Sequence, residues 1–152
     1  MSQNLTVTKM FEWDCAHKLY NPKLSIDKNK SVFGLCNNIH GHTYKLEVTV
    51  EPIKSLNNGM VINFKDLKKI VKDKIVDVMD HSLTLTRGDI IIDMLEPLNL
   101  KINIVNYETT CENQINDFWN ILKPIFIKHN ISLVKLKLYE TPTSYAELSK
   151  WE

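Results

Sequence analysis

The sequence predicts an α+β domain in which helices cover one face of an antiparallel sheet. Three observations lead there. Three segments alternate apolar and polar residues with the period of two that a half-buried strand shows. Two others repeat apolar residues at three- and four-residue steps, as amphipathic helices do. The strand alternation is one-sided throughout, which suits an antiparallel sheet with one wet face. With no internal repeat, low-complexity tract or linker, residues 1–152 read as a single domain.

The first strand is LTVTKMFEWDCAH, residues 5–17. Leu5, Val7, Phe11, Trp13 and Cys15 share one parity, interrupted by Lys9, and His17 ends that row. The segment from Lys18 to Asn38 is rich in Lys, Asn and Ser and reads as a loop. The next strand begins within CNNIHGHTYKLEVTVEP, residues 36–52. Tyr44, Leu46, Val48 and Val50 are its apolar row, and His40 and His42 fall on the same parity. Pro52 and the turn SLNNG end it.

The first helix is residues 63–80, with Asn63 as N-cap and Asp66 three residues on. Phe64, Leu67, Ile70, Val71, Ile75, Val78 and Met79 form its apolar face. Residues 100–107, LKINIVNY, suit a short strand. The second helix starts near TTCEN, where Thr109 and Glu112 fit a capping box. Ile115, Phe118, Trp119 and Leu122 supply its face, and Pro124 is expected to kink or stop it. In the last strand, ISLVKLKLYE, Val134, Leu136 and Leu138 face one way and Glu140 lies on their row.

Each one-sided strand therefore carries ionisable groups on its apolar row. Desolvating such groups is costly unless they are paired, hydrogen-bonded or metal-bound. A lone histidine at a strand end commonly just reaches solvent. Three histidines from two strands, two of them as His40-Gly41-His42, fit a zinc site with a fourth position open for water or substrate. Cys36, four residues before His40, fits a fourth ligand, an inert loop thiol or an acid–base group beside an open site. The Asp80–His81 pair fits a carboxylate-oriented imidazole, or simply a histidine at a helix C-terminus.

Charge is nearly balanced, 19 Lys and Arg against 18 Asp and Glu. A general nucleic-acid or membrane-surface binder would show a basic excess. No apolar run approaches a membrane span, and the N-terminus lacks the basic and apolar regions of a signal peptide, so a cytoplasmic location is expected. Three irregularly spaced cysteines do not form a disulfide framework.

Together FEWDCAH, FGLCNNIHGHTYKLEVTV, GMVINFKDLKKIV, MDHSLTL, TTCEN and KLYET resemble, in order and over nearly the whole chain, the 6-pyruvoyltetrahydropterin and 6-carboxytetrahydropterin synthase family. The resemblance implies the T-fold (tunnelling fold), a four-stranded antiparallel sheet with two helices on one face. It further implies that three subunits close a barrel and that two trimers stack into a homohexamer. By the same resemblance His17, His40 and His42 match the zinc ligands and Cys36 the catalytic cysteine. Asp80 and His81 match the proton-transfer dyad, and Glu140 the carboxylate that anchors the pterin ring. Thr109, Thr110 and Glu112 match a segment lining the pterin pocket. Asn63 stands where the family often has Asp, and it caps a helix about as well.

The implied substrate is 7,8-dihydroneopterin triphosphate. One branch eliminates triphosphate to give the 6-pyruvoyl product. The other also releases acetaldehyde and leaves a 6-carboxyl group, towards queuosine. The three residues between Cys36 and His40 resemble the carboxy branch, whereas the Cys36-Asn37-Asn38 run is shared with pyruvoyl enzymes. A non-catalytic zinc- or pterin-binding T-fold protein is the further alternative, and retention of Cys36, Asp80 and His81 together speaks against it. Lys18, Lys23, Lys28 and Lys30 are candidates for the triphosphate, although a solvated loop is the better account of most of them.

Overall fold

The computed structural model describes residues 4–150. Its strands are β1 (Val7–His17), β2 (His40–Pro52), β3 (Leu83–Thr86), β4 (Ile102–Val105), β5 (Ile131–Thr141) and β6 (Ser144–Ser149). They form one sheet in the order β4-β3-β1-β2-β5-β6. β1, β2, β5 and β6 are antiparallel neighbours, and β1 and β2 pair along their full lengths from Val7 opposite Val50 to His17 opposite His40. β3 and β4 add a short parallel extension at the β1 edge. The sheet is thus mixed and six-stranded, where four antiparallel strands were expected. The two extra strands, β3 and β6, are too short to show a clear period.

The helices are α1 (Ile26–Phe33), α2 (Phe64–Val71), α3 (Asp77–Met79), α4 (Ile92–Leu95) and α5 (Cys111–Lys128). A wider π turn, Lys72–Val76, joins α2 to α3 in one run. The buried residues of that run are Leu67, Val71, Ile75 and Met79, each four apart. A four-residue step overshoots the 3.6-residue turn, so a strict repeat drifts around an α-helix, and the wider turn takes up the drift. Phe64 and Val78, expected on this face, are exposed instead.

α5 buries Ile115, Phe118, Leu122 and Phe126. It runs on through Pro124, contrary to a stop there. Pro124 and Asn120, whose carbonyl loses its helical partner, both lie on the exposed side, where water can satisfy that carbonyl. Thr110, not Thr109, is the N-cap, accepting from the Asn113 amide at 3.2 Å. Glu112 is thereby free of any capping role.

α2, α3 and α5 pack on one face of the sheet over Trp13, Tyr44, Leu46, Val48, Val50, Leu136 and Leu138. The row of β5 departs from simple alternation. Val50 stands opposite Leu133 while Val48 stands opposite Leu136, so one extra residue bulges at Val134. Ile131 and Leu133 are buried in place of Val134, and the bulge passes the core row on to Leu136 and Leu138.

The Lys18–Asn38 segment, expected as a loop, contains α1. Its organiser is polar. Asn29 is fully buried, its amide nitrogen donating to the carbonyls of Asn21, Leu24 and Ser25, and its oxygen accepting from the Asn21 amide at 2.7 Å. Ser25 caps the helix. Among the described residues, no helix is long and apolar enough to cross a membrane.

Candidate active site

The end of β1 lies against the start of β2, which puts His17 directly opposite His40, and strand parity returns His42 to the same face. Ring centroids are 4.5 Å apart for His17 and His40, 5.2 Å for His17 and His42, and 5.0 Å for His40 and His42. One nitrogen from each lies within 4.8 Å of the other two. Gly41 sits between the two β2 histidines, where a Cβ would come 3.3 Å from the Cys15 carbonyl oxygen.

The hydrogen bonds assign the rings. His17 Nδ1 donates to the Thr109 carbonyl at 2.8 Å, and His40 Nδ1 donates to the Asn38 carbonyl at 2.8 Å. This leaves both Nε2 lone pairs free. The Nε2 atoms of His17 and His42 are buried without a hydrogen-bond partner. Burial pushes His17 down to about 4, helped by the His40 and His42 rings and opposed by the Thr109 carbonyl. Burial likewise lowers His42, against the pull of Glu140. Neutral imidazoles with orphaned, converging nitrogens are what a metal ion of the zinc type requires.

Glu140 lies on the core row at a second bulge of β5. Tyr139 pairs with Tyr145 and Thr141 with Ser144, leaving Glu140 as the extra residue. Its Oε1 is 3.7 Å from His42 Nε2. Glu140 forms part of two pockets. One, about 340 Å³, is lined by Leu19, Thr110, Cys111, Glu112, Ser144 and Tyr145 among others. The other, about 430 Å³, adds His42, Thr43, Lys45 and Tyr139. His42 then borders a third pocket with Asp14 and His81. The three follow one another around the sheet end, joined by Glu140 and His42.

Asp80 and His81 stand at the turn from α3 into β3. Asp80 Oδ2 lies 2.9 Å from His81 Nδ1, and its Oδ1 accepts from the Asp14 amide at 3.2 Å. Partial desolvation would raise the Asp80 carboxyl, but the His81 ring, the Asp14 amide and the Lys101 charge hold it below its ordinary value. His81 has φ 59°, a left-handed conformation uncommon for a side-chain-bearing residue. Cys36 is exposed in the turn Gly34–Asn37. That turn is tied to the residues after His17, with the Leu19 amide donating to the Cys36 carbonyl and the Asn37 side chain to the Leu19 carbonyl.

The residues singled out in the sequence fall into distinct places. His17, His40 and His42 converge; Glu140, Thr110 and Glu112 share a pocket; His81 lines a different one. Thr109 is fully buried and lines neither of these pockets. Its carbonyl holds His17 and its hydroxyl donates to the Lys18 carbonyl. Lys18 is paired with buried Asp89 at 2.8 and 3.0 Å, so it is not free for a phosphate.

A family model described as 6-pyruvoyl tetrahydropterin synthase matches residues 6–150. The chain belongs to the 6-pyruvoyl tetrahydropterin synthase family. A 6-carboxy-5,6,7,8-tetrahydropterin synthase from Haemophilus influenzae is 38% identical, over 93% of this chain and 96% of its own. Human 6-pyruvoyl tetrahydrobiopterin synthase is 33% identical, over 89% of this chain and 84% of its own. Among solved structures, the Caenorhabditis elegans 6-pyruvoyl tetrahydropterin synthase has a TM-score of 0.74 at 26% identity, covering 98% of this chain and 97% of that one. An uncharacterised protein from Wolinella succinogenes shares the fold, with a TM-score of 0.81 at 20% identity over 99% of this chain and all of that one.

The pocket wall of this tetrahydropterin synthase family member includes residues that the sequence reading passed over. Ser144, Tyr145 and Ala146 come from β6, and Cys111 from the first turn of α5. The signal for β6 was Pro142 in the two-residue turn between Thr141 and Ser144, since proline favours the second position of a turn.

Proposed function

We propose that this member of the family is a zinc-dependent 6-carboxy-5,6,7,8-tetrahydropterin synthase. It converts 7,8-dihydroneopterin triphosphate with loss of triphosphate and acetaldehyde, on the route to queuosine and other deazapurines. The carrying observation is the trio of converging histidines, with His17 and His42 nitrogens buried and unpartnered, beside a pocket walled by Glu140. The branch is supported by the full-length likeness to the Haemophilus influenzae enzyme and by the three-residue gap between Cys36 and His40. The pyruvoyl reaction is the second reading, favoured by the likeness to the human enzyme and by the Cys36-Asn37-Asn38 run.

Each residue has a task. His17, His40 and His42 present neutral nitrogens, and the bonds from Nδ1 of His17 and His40 to carbonyls fix which nitrogen is offered. Zinc, when held there, supplies Lewis-acid polarisation of the substrate's side-chain oxygens. Glu140 accepts hydrogen bonds from the guanidine-like edge of the pterin, with Thr110 and Glu112 on the same wall. Cys36, as thiolate, takes a proton from the side chain, and His81, oriented by Asp80, returns one.

Assembly as a homohexamer of two trimers, in the cytoplasm, belongs to the same proposal. Strands β4 and β6 are the two edges of the sheet, with unpaired backbone groups available for pairing between subunits. The test is incubation with 7,8-dihydroneopterin triphosphate, with acetaldehyde followed by coupled NADH oxidation through alcohol dehydrogenase. Triphosphate without acetaldehyde would move the assignment to the pyruvoyl branch. Release of neither would leave a pterin- or zinc-binding protein without this activity.

A further inference from the structure

The peptide unit joining Asp80 to His81 is held at both ends. Its N–H donates to the Asp14 carbonyl on β1 at 2.7 Å. Its carbonyl oxygen accepts from Lys101 Nζ at 2.7 Å, and the same ammonium donates to the Asp77 carbonyl at 2.6 Å. Lys101 stands immediately before β4, where its own carbonyl accepts from the Leu83 amide at 3.0 Å. Two residues on, Asn103 donates to the Val78 carbonyl and the Ser82 hydroxyl, both at 2.9 Å.

An ammonium on the last carbonyls of a helix is an ordinary cap. Asp80, however, has already left the helix, with φ −61° and ψ 129°. A bond to its carbonyl therefore does more than close the helix. A peptide plane held at its oxygen and its hydrogen places the Cα atoms on both sides, and the ψ of Asp80, 129°, with the φ of His81, 59°, then sets the two Cα–Cβ directions. Those two directions decide whether the Asp80 carboxylate meets His81 Nδ1. The left-handed φ of His81 needs such support, because that conformation is not favoured for a side-chain-bearing residue.

We infer that Lys101 is a positioning residue of the proposed proton relay, holding the Asp80–His81 peptide so that the carboxylate orients the imidazole. The inference rests on the role given to that pair above. The test uses Lys101→Met and Lys101→Arg in the full chain, with histidine labelled with nitrogen-15 and the His81 signals assigned by their loss in His81→Gln. The parent protein should show one His81 tautomer, with hydrogen on Nδ1 facing Asp80. Lys101→Met should show a mixture of both tautomers. It should lose about 10- to 100-fold in kcat with KM within about twofold, and keep its metal. Lys101→Arg, which can still donate to two carbonyls, should restore the single tautomer. A third variant, Lys101→Gln, should fall between the other two. An unchanged His81 tautomer in Lys101→Met, even with a lower Tm, would reduce Lys101 to a helix cap and overturn the inference. A tautomer shift with unchanged kcat would uphold the positioning and instead remove the dyad from the reaction.

Discussion

Replacing Asp89 by Ala should destabilise the protein by about 3–5 kcal/mol, because it strands a buried charge. The Lys18 side chain is 11% exposed and that of Asp89 not at all. Both carboxylate oxygens receive the ammonium, at 3.0 and 2.8 Å, and Asp89 Oδ1 also accepts from the Ile91 amide at 3.1 Å. Losing Asp89 leaves that ammonium without its counter-ion. The Tyr20 ring, 4.3 Å from Nζ to centroid, stays in contact with the ammonium, so the charge is not left wholly uncompensated. The lower part of the range is therefore expected, near 3 kcal/mol, or a fall in Tm of about 6–12 °C. Urea unfolding of metal-free protein at one fixed concentration, followed by tryptophan fluorescence, measures it without a contribution from metal binding. Lys18→Met with Asp89→Leu should recover most of the loss, since neither charge then remains buried. A cost below about 1 kcal/mol for Asp89→Ala would mean that Lys18 reaches water unaided. The burial argument would then fail, and Lys18 would return as a ligand for the triphosphate.

Metal-free protein should lose stability as pH falls from about 6.5 to about 4. His17 is neutral in the fold down to about 4, whereas the unfolded chain takes up its proton near 6.5, so acid favours unfolding by up to about 3 kcal/mol. Urea midpoints across that range should show the slope, and His17→Phe should flatten it. Cys36→Ala should keep metal and pterin binding by calorimetry while turnover falls by orders of magnitude; full activity would remove Cys36 from the chemistry. Glu140→Ala should weaken pterin affinity by about 10-fold or more, since the ring loses a charged acceptor, and equal affinity would move the ring elsewhere.

What was legible in the sequence was what strand parity encodes. β1 and β2 show their faces by alternation, and the convergence of His17, His40 and His42 follows from two rows meeting at one sheet end. Glu140 was placed on the core row by counting back to Val134, yet the row reaches it through Leu136 and Leu138 beyond a bulge. A bulge adds one residue without a mark in the hydrophobic pattern. α1 escaped because its anchor, Asn29, is an amide and looks like any polar loop residue. The N-cap of α5 fell one residue late because Thr109 and Thr110 offer the same hydroxyl, and only the bond to the Asn113 amide separates them. Lys18 resembled its solvated neighbours because its partner Asp89 lies 71 residues away in the chain.

The Asn29 knot has a consequence for how this protein can change over generations. The stretch between the two histidine strands owes its shape to one side chain that reads only backbone atoms, at Asn21, Leu24 and Ser25. Backbone atoms are the same whatever residue carries them. Lys23, Lys28 and Lys30 lie exposed on that stretch and can be exchanged for other residues while the knot stays tied. The charge displayed on that stretch is therefore free to drift, but Asn29 itself is not. A mutational scan should find one intolerant polar position amid permissive ones, and a library built on the permissive set should leave the bonds that tie Leu19 to Cys36 and Asn37 in place.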